Sequence, residues 1–498
     1  MKNIDDIDWH KAAAALKLSD KAIIDGRSVA AQSGTTFETF SPIDGRLLAQ
    51  LPKMGDADID FAVAAARTSF GDGRWADRSP AARKKILIRL ADLINAHRDE
   101  LALLETLDMG KPISKSTNVD VRAVSNCFAH YGEAIDKVYD EVAPTSNKYL
   151  SLVTKEPLGV VAAVVPWNFP MLMAAWKVAP ALATGNSVIL KPAEQSSLSA
   201  IRLAELALEA GVPEGVFNVV TGLGPDVGRA LGLHMDVDGL FFTGSTTVGK
   251  FFMEYAAKSN LKKIGLELGG KSPNIVLSSY QNTAHAARVS ADAAWFNQGE
   301  MCTCPSRLIV ERSIHDEVVE VLKNQAKNFA PGDPLDTKTE MGALVDARHT
   351  DRVMAFVDVA RSEGANVAIG GNRARIETGG FYVEPTIFDN VQNDMRVAQE
   401  EIFGPMISVI AVDTPDEAVK VANDSPYGLA SALWTDDLSQ AHQLSRKIRA
   451  GMVYVNDYDC DDITTPFGGY KQSGIGRDKS LYALDKYVEL KSTWIKIA

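Results

Sequence analysis

Val160-Val161-Ala162-Ala163-Val164-Val165, running straight into Pro166-Trp167-Asn168-Phe169-Pro170, is the stretch that decides the fold. Its first six residues predict a strand, and further strand-like runs stand at 187–190, 217–220 and 240–242. Helix-like runs separate them, notably 199–210, which ends at Gly211. Strands rich in Val and Ile that alternate with helices predict a parallel α/β sheet. Such sheets bind ligands at the carboxyl ends of their strands. Asn168 follows the first strand, Lys191 the second and Gly244-Ser245 the fourth, a placement that packing alone does not explain.

A second alternating region spans 273–468, with strands at 308–310 and 406–412 and helices near 315–329 and 346–362. Within it, Phe296-Asn297-Gln298-Gly299-Glu300-Met301-Cys302-Thr303-Cys304-Pro305-Ser306-Arg307 sets a cysteine between a helix-like segment and a strand-like one. Gly299 and Pro305 bracket Cys302, so its thiol is expected on an accessible turn. A lone cysteine reads first as a small buried hydrophobe. Polar neighbours on both sides weaken that reading here.

Towards the amino terminus, residues 1–56 read as rich in loops and turns. One helix is predicted over 79–107, capped by Ser79, opened by Pro80 and stopped by Gly110 and Pro112. Strands are predicted at 148–155 and 487–497. Neither has a hairpin partner beside it, and exposed strands of that kind pair with another chain.

At 498 residues the chain exceeds what one hydrophobic core serves, so two or three domains are expected. A net charge of −12 and a pI near 5.3 argue against nucleic acid or an anionic membrane as partner. The acidic start has no apolar core and reads as no signal peptide. No apolar stretch approaches the ~20 residues of a membrane span. Four cysteines (127, 302, 304 and 460) make no disulfide framework. Cys302 and Cys304 lack the further ligands of a metal site. A cytoplasmic location is the default expectation.

Four stretches carry a resemblance: 166–170, Leu266-Glu267-Leu268-Gly269-Gly270-Lys271, the Cys302 segment, and Glu401-Ile402-Phe403-Gly404-Pro405. In this order and spacing they resemble the aldehyde dehydrogenase superfamily, from about Phe37 to the carboxyl terminus. The resemblance implies an α/β fold with a Rossmann-like NAD-binding domain (1–134 and 157–267) and an α/β catalytic domain (268–478). It also implies a small β oligomerisation arm (135–156 and 479–498) that builds a homo-oligomer, tetramer or dimer.

The implied cofactor is NAD rather than NADP. No G-x-G-x-x-G fingerprint is present, since 222–228 carries one residue too many, although Gly224 and Gly228 could still face a pyrophosphate. By resemblance Lys191 and Glu194 bind the adenosine ribose, and Ser245, with Phe242 and Gly244, approaches the pyrophosphate. Glu401 and Phe403 position the nicotinamide ribose, and Pro166, Trp167 and Gly269 belong to the same site. Taken singly, Lys191 with Glu194 reads as a surface ion pair and Ser245 as a helix cap.

Oxidising an aldehyde needs a hydride donor, and a thiolate adding to the carbonyl creates one. The resemblance makes Cys302 that nucleophile. The Asn168 amide and the Cys302 backbone N–H become the oxyanion donors, with Lys177 beside them. Glu267 becomes the base that activates water against the thioester. The bland reading of Glu267 is a solvated carboxylate. Cys304-Pro305 departs from the Ala-Gly common in relatives, and a Cys302–Cys304 bond would be strained.

Phe169, Met173, Trp176, Trp295 and Phe467 are candidate walls of a substrate tunnel, and core packing explains each as well. The loop Asn456-Asp457-Tyr458-Asp459-Cys460-Asp461-Asp462 precedes Pro466-Phe467-Gly468, which closes the substrate entrance in the family. Its aspartates, Asp459 among them, favour a cationic tail or are simply solvated. Gly468-Gly469-Tyr470-Lys471-Gln472-Ser473-Gly474 and Arg477-Asp478-Lys479-Ser480 look like the aminoaldehyde branch. That branch oxidises γ-aminobutyraldehyde, its γ-glutamyl conjugate or 4-guanidinobutyraldehyde in polyamine and arginine breakdown. The rivals are a broad aliphatic aldehyde dehydrogenase, an acylating enzyme that Glu267 argues against, and a non-catalytic protein of this fold.

Overall fold

The computed structural model describes residues 3–497; Met1, Lys2 and Ala498, the ends of the stretches read above, lie outside them. Two large sheets organise the chain. The first has eight strands in the order Arg27–Val29, Ala22–Ile24, Phe217–Val219, Ser187–Lys191, Val160–Val164, Gly239–Thr243, Lys263–Glu267 and Gly474–Ile475. From Phe217–Val219 to Lys263–Glu267 every pairing is parallel. The two flanking additions are antiparallel.

Strands Val160–Val164, Ser187–Lys191 and Gly239–Thr243 are buried along their whole length, as strands covered by helices on both faces must be. From Val160–Val164 the chain moves first to one side of the sheet and later to the other. That reversal opens a crevice at the carboxyl ends of Val160–Val164 and Gly239–Thr243. Helix Pro170–Ala183 starts there, with Pro170 at its first position, and is buried on every side. It is a core helix, so what precedes it is rigidly placed.

The second sheet runs Asn366–Ile369, Thr386–Asp389, Met406–Val412, Arg307–Glu311, Pro273–Val276, Ala430–Trp434 and Met452–Val455. Only residues 268–272 separate Lys263–Glu267 of the first sheet from Pro273–Val276 of the second. The two cores therefore meet at that crossing.

Several expectations change. The helix expected over 79–107 is two, Pro80–Ala96 and Arg98–Met109, broken at His97 (φ −99°, ψ 21°). The apolar spacing continues across the break, which hides it. Ser79 caps the first helix by accepting the Ala82 N–H, and Gly110 (φ 83°) ends the second in the left-handed region.

Residues 1–56, expected as loops, hold two hairpins, Ala22–Ile24 with Arg27–Val29 and Thr36–Phe40 with Leu47–Pro52. Asp25 (φ 51°) and Gly26 (φ 72°) make the first turn, whose twist suits a tight hairpin. Its strands are three residues each, too short to show a pattern. The two outlying strands are each other's partner: Tyr149–Pro157 and Val488–Lys496 pair antiparallel along their full length, with Glu141–Val142 beside them. Among the described residues, no helix is long and apolar enough to cross a membrane.

Candidate active site

Helix Thr283–Trp295 runs into a turn in which Asn297 (φ 48°, ψ 40°) and Gln298 (φ 57°, ψ 22°) are both left-handed. Such backbone is costly outside glycine and persists only where its surroundings enforce it. The enforcement is visible. Asn297 Nδ2 donates to the carbonyls of Asn168 (3.0 Å) and Glu300 (3.2 Å), and Gln298 Oε1 accepts the Gly342 N–H (3.1 Å). Asn168 Nδ2 in turn donates to the Glu300 carbonyl at 2.8 Å. The end of strand Val160–Val164 and the Cys302 turn are thus stitched together, with the Asn168 amide bonded to the carbonyl two residues before Cys302.

The two nearby cysteines differ. Cys302 is partly exposed, whereas Cys304 is buried and its Sγ lies 3.5 Å from the Ala294 carbonyl. Burial pushes both thiols up, Cys304 to about 12. For Cys302 the carboxylates of Glu401, Glu267 and Asp459 add to that effect.

Glu267 ends its strand fully buried, and neither of its carboxylate oxygens has a hydrogen-bond partner. Burial, then the charge of Asp478, lifts its carboxyl well above the usual range. It is not a solvated carboxylate. Lys177, expected beside the oxyanion site, gives its Nζ to Asp478, whose other oxygen takes Lys486 Nζ.

Gly269 and Gly270 occupy the crossing between the sheets. The Gly270 N–H donates to Glu401 Oε1 at 3.0 Å, and a Cβ on Gly269 would fall 2.2 Å from Glu401 Oε2. Burial pushes Glu401 up to about 7. Phe403 (φ 62°) packs its ring against Trp167, centroids 5.3 Å apart, and its carbonyl accepts His349 Nε2–H at 2.7 Å. The His349 ring also lies 5.1 Å from Trp167. Nothing in the sequence around His349 singles it out, since its partners arrive from two other segments.

Across the crevice, Lys191 is 2% exposed and its Nζ lies 3.1 Å from Glu194 Oε2, so this is no surface ion pair. Ser245 does cap helix Thr246–Lys258, accepting the Val248 N–H at 3.4 Å. Next to it the Thr243 hydroxyl is buried without a partner. Gly244 lies so close to the Phe242 ring that a Cβ would fall 2.3 Å from it. Gly224–Gly228 forms a turn leading into Arg229–Leu233, with Gly228 buried and open space above Gly224. Pro166 and Trp167 lie at the mouth of the same crevice, after Val160–Val164.

Of the apolar candidates, Trp176 and Phe467 pack together with centroids 4.8 Å apart, and Phe169 stacks on Phe296 at 6.4 Å. Met173 is buried one turn into helix Pro170–Ala183. Trp295 is corrected: it is fully buried against Phe329 in the second core, so packing accounts for it. Tyr458, which the motifs did not mark, anchors the acidic loop by donating its hydroxyl to the Thr303 carbonyl at 2.5 Å. Thr303 Oγ1 donates to Asp459 Oδ1 at 3.3 Å.

One approach is tight enough to test directly. A Cβ on Gly270 would lie 2.4 Å from the Cys302 carbonyl oxygen, which belongs to the backbone and has no free rotation to escape. Gly270→Ala should therefore displace the Cys302 turn. We expect alkylation of Cys302 by iodoacetamide to change several-fold in rate, read by peptide mass mapping, while the circular dichroism spectrum is kept. An unchanged alkylation rate would show that the turn absorbs the methyl group.

Comparison with known proteins shows the family. The model of the aldehyde dehydrogenase family matches residues 29–493. The NADP/NAD-dependent aldehyde dehydrogenase PuuC of Escherichia coli is 49% identical over 98% of both chains. The solved γ-glutamyl-γ-aminobutyraldehyde dehydrogenase of Burkholderia cenocepacia superposes with a TM-score of 0.97 at 56% identity, covering 98% of this chain and 99% of its own. An indole-3-acetaldehyde dehydrogenase of P. syringae, solved with NAD+, does so with a TM-score of 0.97 at 55% identity and the same coverage. The chain belongs to the aldehyde dehydrogenase family and is an NAD(P)-dependent aldehyde dehydrogenase.

Proposed function

We propose that this enzyme oxidises an aldehyde carrying a cationic or strongly polar tail, a γ-amino-, γ-glutamylamino- or guanidino-butyraldehyde, and prefers NAD to NADP. The observation that carries the substrate reading is Asp459. Among the four aspartates of the acidic loop, three already have work. Asp457 accepts the Cys460 thiol at 2.8 Å, Asp461 is ion-paired with Lys479, and Asp462 accepts the Thr464 N–H and hydroxyl. Asp459 is half-buried, directly after Tyr458, whose ring packs on Tyr454, and its one side-chain partner is the Thr303 hydroxyl beside Cys302. Burial, then the charge of Asp461, pushes its carboxyl up to about 6.

In the reaction, Cys302 adds its thiolate to the carbonyl carbon, and the Asn168 amide with the Cys302 backbone N–H receives the oxyanion. Asn168 has two amide hydrogens, so donating one to Glu300 leaves the other for substrate. A dinucleotide held in the crevice would supply the hydride acceptor for oxidation of the adduct to a thioester. Glu267 then removes a proton from water as its oxygen bonds to the acyl carbon and the C–S bond breaks, freeing acid and thiolate. The residues fit a dinucleotide: the Lys191–Glu194 pair with its ammonium buried and its carboxylate partly exposed, the unpartnered Thr243 hydroxyl and the open space over Gly224 stand at or after the carboxyl ends of strands of one sheet.

We assign 1–134 and 157–267 to the cofactor domain, 268–478 to the catalytic domain and 135–156 with 479–498 to an arm. Gly474–Ile475 crosses back to the first sheet. Val488–Lys496 leaves one edge unpaired and exposes Leu490, Trp494 and Ile495, which supports assembly with further copies of the chain.

The nucleophile is tested by paired variants. Cys302→Ala should abolish both dehydrogenase and ester-hydrolysing activity, and Cys304→Ala, whose thiol faces the Ala294 carbonyl, should keep most of each. A dead Cys304 variant beside an active Cys302 one would reverse the assignment.

For the cofactor, the Glu194 carboxylate should repel a 2′-phosphate. We expect kcat/KM to favour NAD, with Glu194→Gln narrowing the gap. Equal values in the parent enzyme would remove this reading.

For the substrate, kcat/KM is compared between 4-aminobutanal and butanal. A desolvated charge-assisted hydrogen bond contributes about 1.5–3 kcal/mol, ten- to a hundredfold, whereas a surface pair contributes roughly 0.2–1 kcal/mol. Asp459→Asn should cost the first amount on the amine only. The preference should also fade as pH falls through about 6, where Asp459 takes up its proton. A parent enzyme that favours butanal, with its Trp176–Phe467 wall as the main contact, would be a general aldehyde dehydrogenase.

A further inference from the structure

Asp478 is fully buried at the meeting point of two lysines from distant parts of the chain. Lys177 comes from helix Pro170–Ala183 and Lys486 from the turn Leu481–Tyr487, just before the arm strand. One carboxylate oxygen takes each ammonium. The Asp478 backbone is also fixed, exchanging hydrogen bonds of 2.8 and 2.7 Å with Phe467 at the substrate entrance. Lys486 is sterically held: its Nζ lies 5.5 Å from the Phe241 ring centroid and 5.3 Å from that of Tyr487. Its stem runs past Gly265, where a Cβ would come 3.6 Å from Lys486 Cδ.

Glu267 stands in the field of this group, with both oxygens unpartnered. The charges acting on it are those of Asp478, Lys177, Lys486 and Arg477, and it acts in turn on the Cys302 thiol and the Tyr487 hydroxyl. Charge counting is decisive here. Two ammoniums, the Arg477 guanidinium and the Asp478 carboxylate leave two positive charges in excess, enough to compensate an ionised Glu267. Without Lys486 the remaining Lys177–Asp478 pair is already neutral. An ionised Glu267 would then be a buried charge with only Arg477 to compensate, which is costly.

We propose that Lys486 is a positioning residue for the water-attack step, supplying the cation that lets Glu267 stand as a carboxylate next to the anionic Asp478. This rests on the reading of Glu267 as the base, and the experiment separates the two. Stopped-flow NADH formation, with saturating aldehyde and NAD, is followed from acid to neutral pH in the parent enzyme, Glu267→Gln, Lys486→Gln, Lys486→Met and Lys486→Arg. Lys486→Gln keeps an N–H for Asp478 and guards against a fold lost in Lys486→Met.

Glu267→Gln should keep the burst, slow the steady state and abolish its acid limb. Lys486→Gln and any folded Lys486→Met should keep the burst and move the acid limb of the steady state up by about one pH unit. Loss of a nearby cation disfavours the ionised carboxylate, so hydrolysis at neutral pH slows with it. Lys486→Arg should restore the limb. An unmoved limb in Lys486→Gln, or equal loss of burst and steady state, would overturn the role of Lys486 and leave Glu267 as base. An acid limb that persists in Glu267→Gln would overturn both.

Discussion

The structure depends on one crossing. Between Lys263–Glu267 of the first sheet and Pro273–Val276 of the second, five residues carry the chain from one core to the other. Two of them are glycines because no Cβ fits, with Glu401 Oε2 against Gly269 and the Cys302 carbonyl against Gly270. The absence of side chains lets the Glu401 segment and the Cys302 turn close on the crossing from the second sheet, while Glu267 ends the strand that leads into it. The spacing of the chemical groups is therefore set by backbone contact between two rigid sheets. Loops alone could not hold it to the fraction of an ångström that positioning demands.

Close approach has an electrostatic consequence. Glu267, Glu401 and the Cys302 thiol are all pushed up chiefly by burial. A site so dry keeps its acids near neutrality of charge unless cations are brought to them. The cations come from outside the crossing, on helix Pro170–Ala183 and on the turn Leu481–Tyr487, and both reach the site through Asp478. On the proposed role of Glu267 as base, its ionised form depends on residues that do not hydrogen-bond to it.

That explains which parts were legible in the sequence. The parallel sheet showed because its buried strands are uninterrupted apolar runs, and Asn168, Lys191 and Gly244 showed because they stand where such strands end. Pairings between elements far apart along the chain did not show, although the strands themselves did. Tyr149–Pro157 finds Val488–Lys496 more than three hundred residues away, and no local pattern announces it. His349, Tyr458 and Lys486 are likewise ordinary residues in sequence, made significant by a carbonyl or carboxylate from another segment. Trp295 misled for the converse reason: closeness to a motif in sequence set it near the nucleophile turn, but the end of helix Thr283–Trp295 points it into the core. The break at His97 was hidden because hydrophobic spacing persists through a change of helix direction.

The segment Arg477-Asp478-Lys479-Ser480 joins these two themes. Asp478 faces the lysines behind Glu267, while the next residue, Lys479 (φ 60°), turns its nearly buried ammonium to Asp461 in the acidic loop, 5.6 Å from the Trp176 ring centroid. Ser480 (φ 50°) donates its N–H to the Ile463 carbonyl at 2.7 Å and accepts the Tyr131 hydroxyl on its own carbonyl at 3.1 Å. Two successive left-handed non-glycine residues are strained, and contacts on both flanks keep them there. With Lys479 on Asp461, the carboxylate proposed to meet an incoming tail is Asp459, whose side-chain partner is the Thr303 hydroxyl. Asp478, the covalent neighbour of Lys479, is the partner of Lys177 and Lys486. The proposed substrate contact at the entrance and the proposed support of the base thus meet at adjacent residues, Lys479 and Asp478.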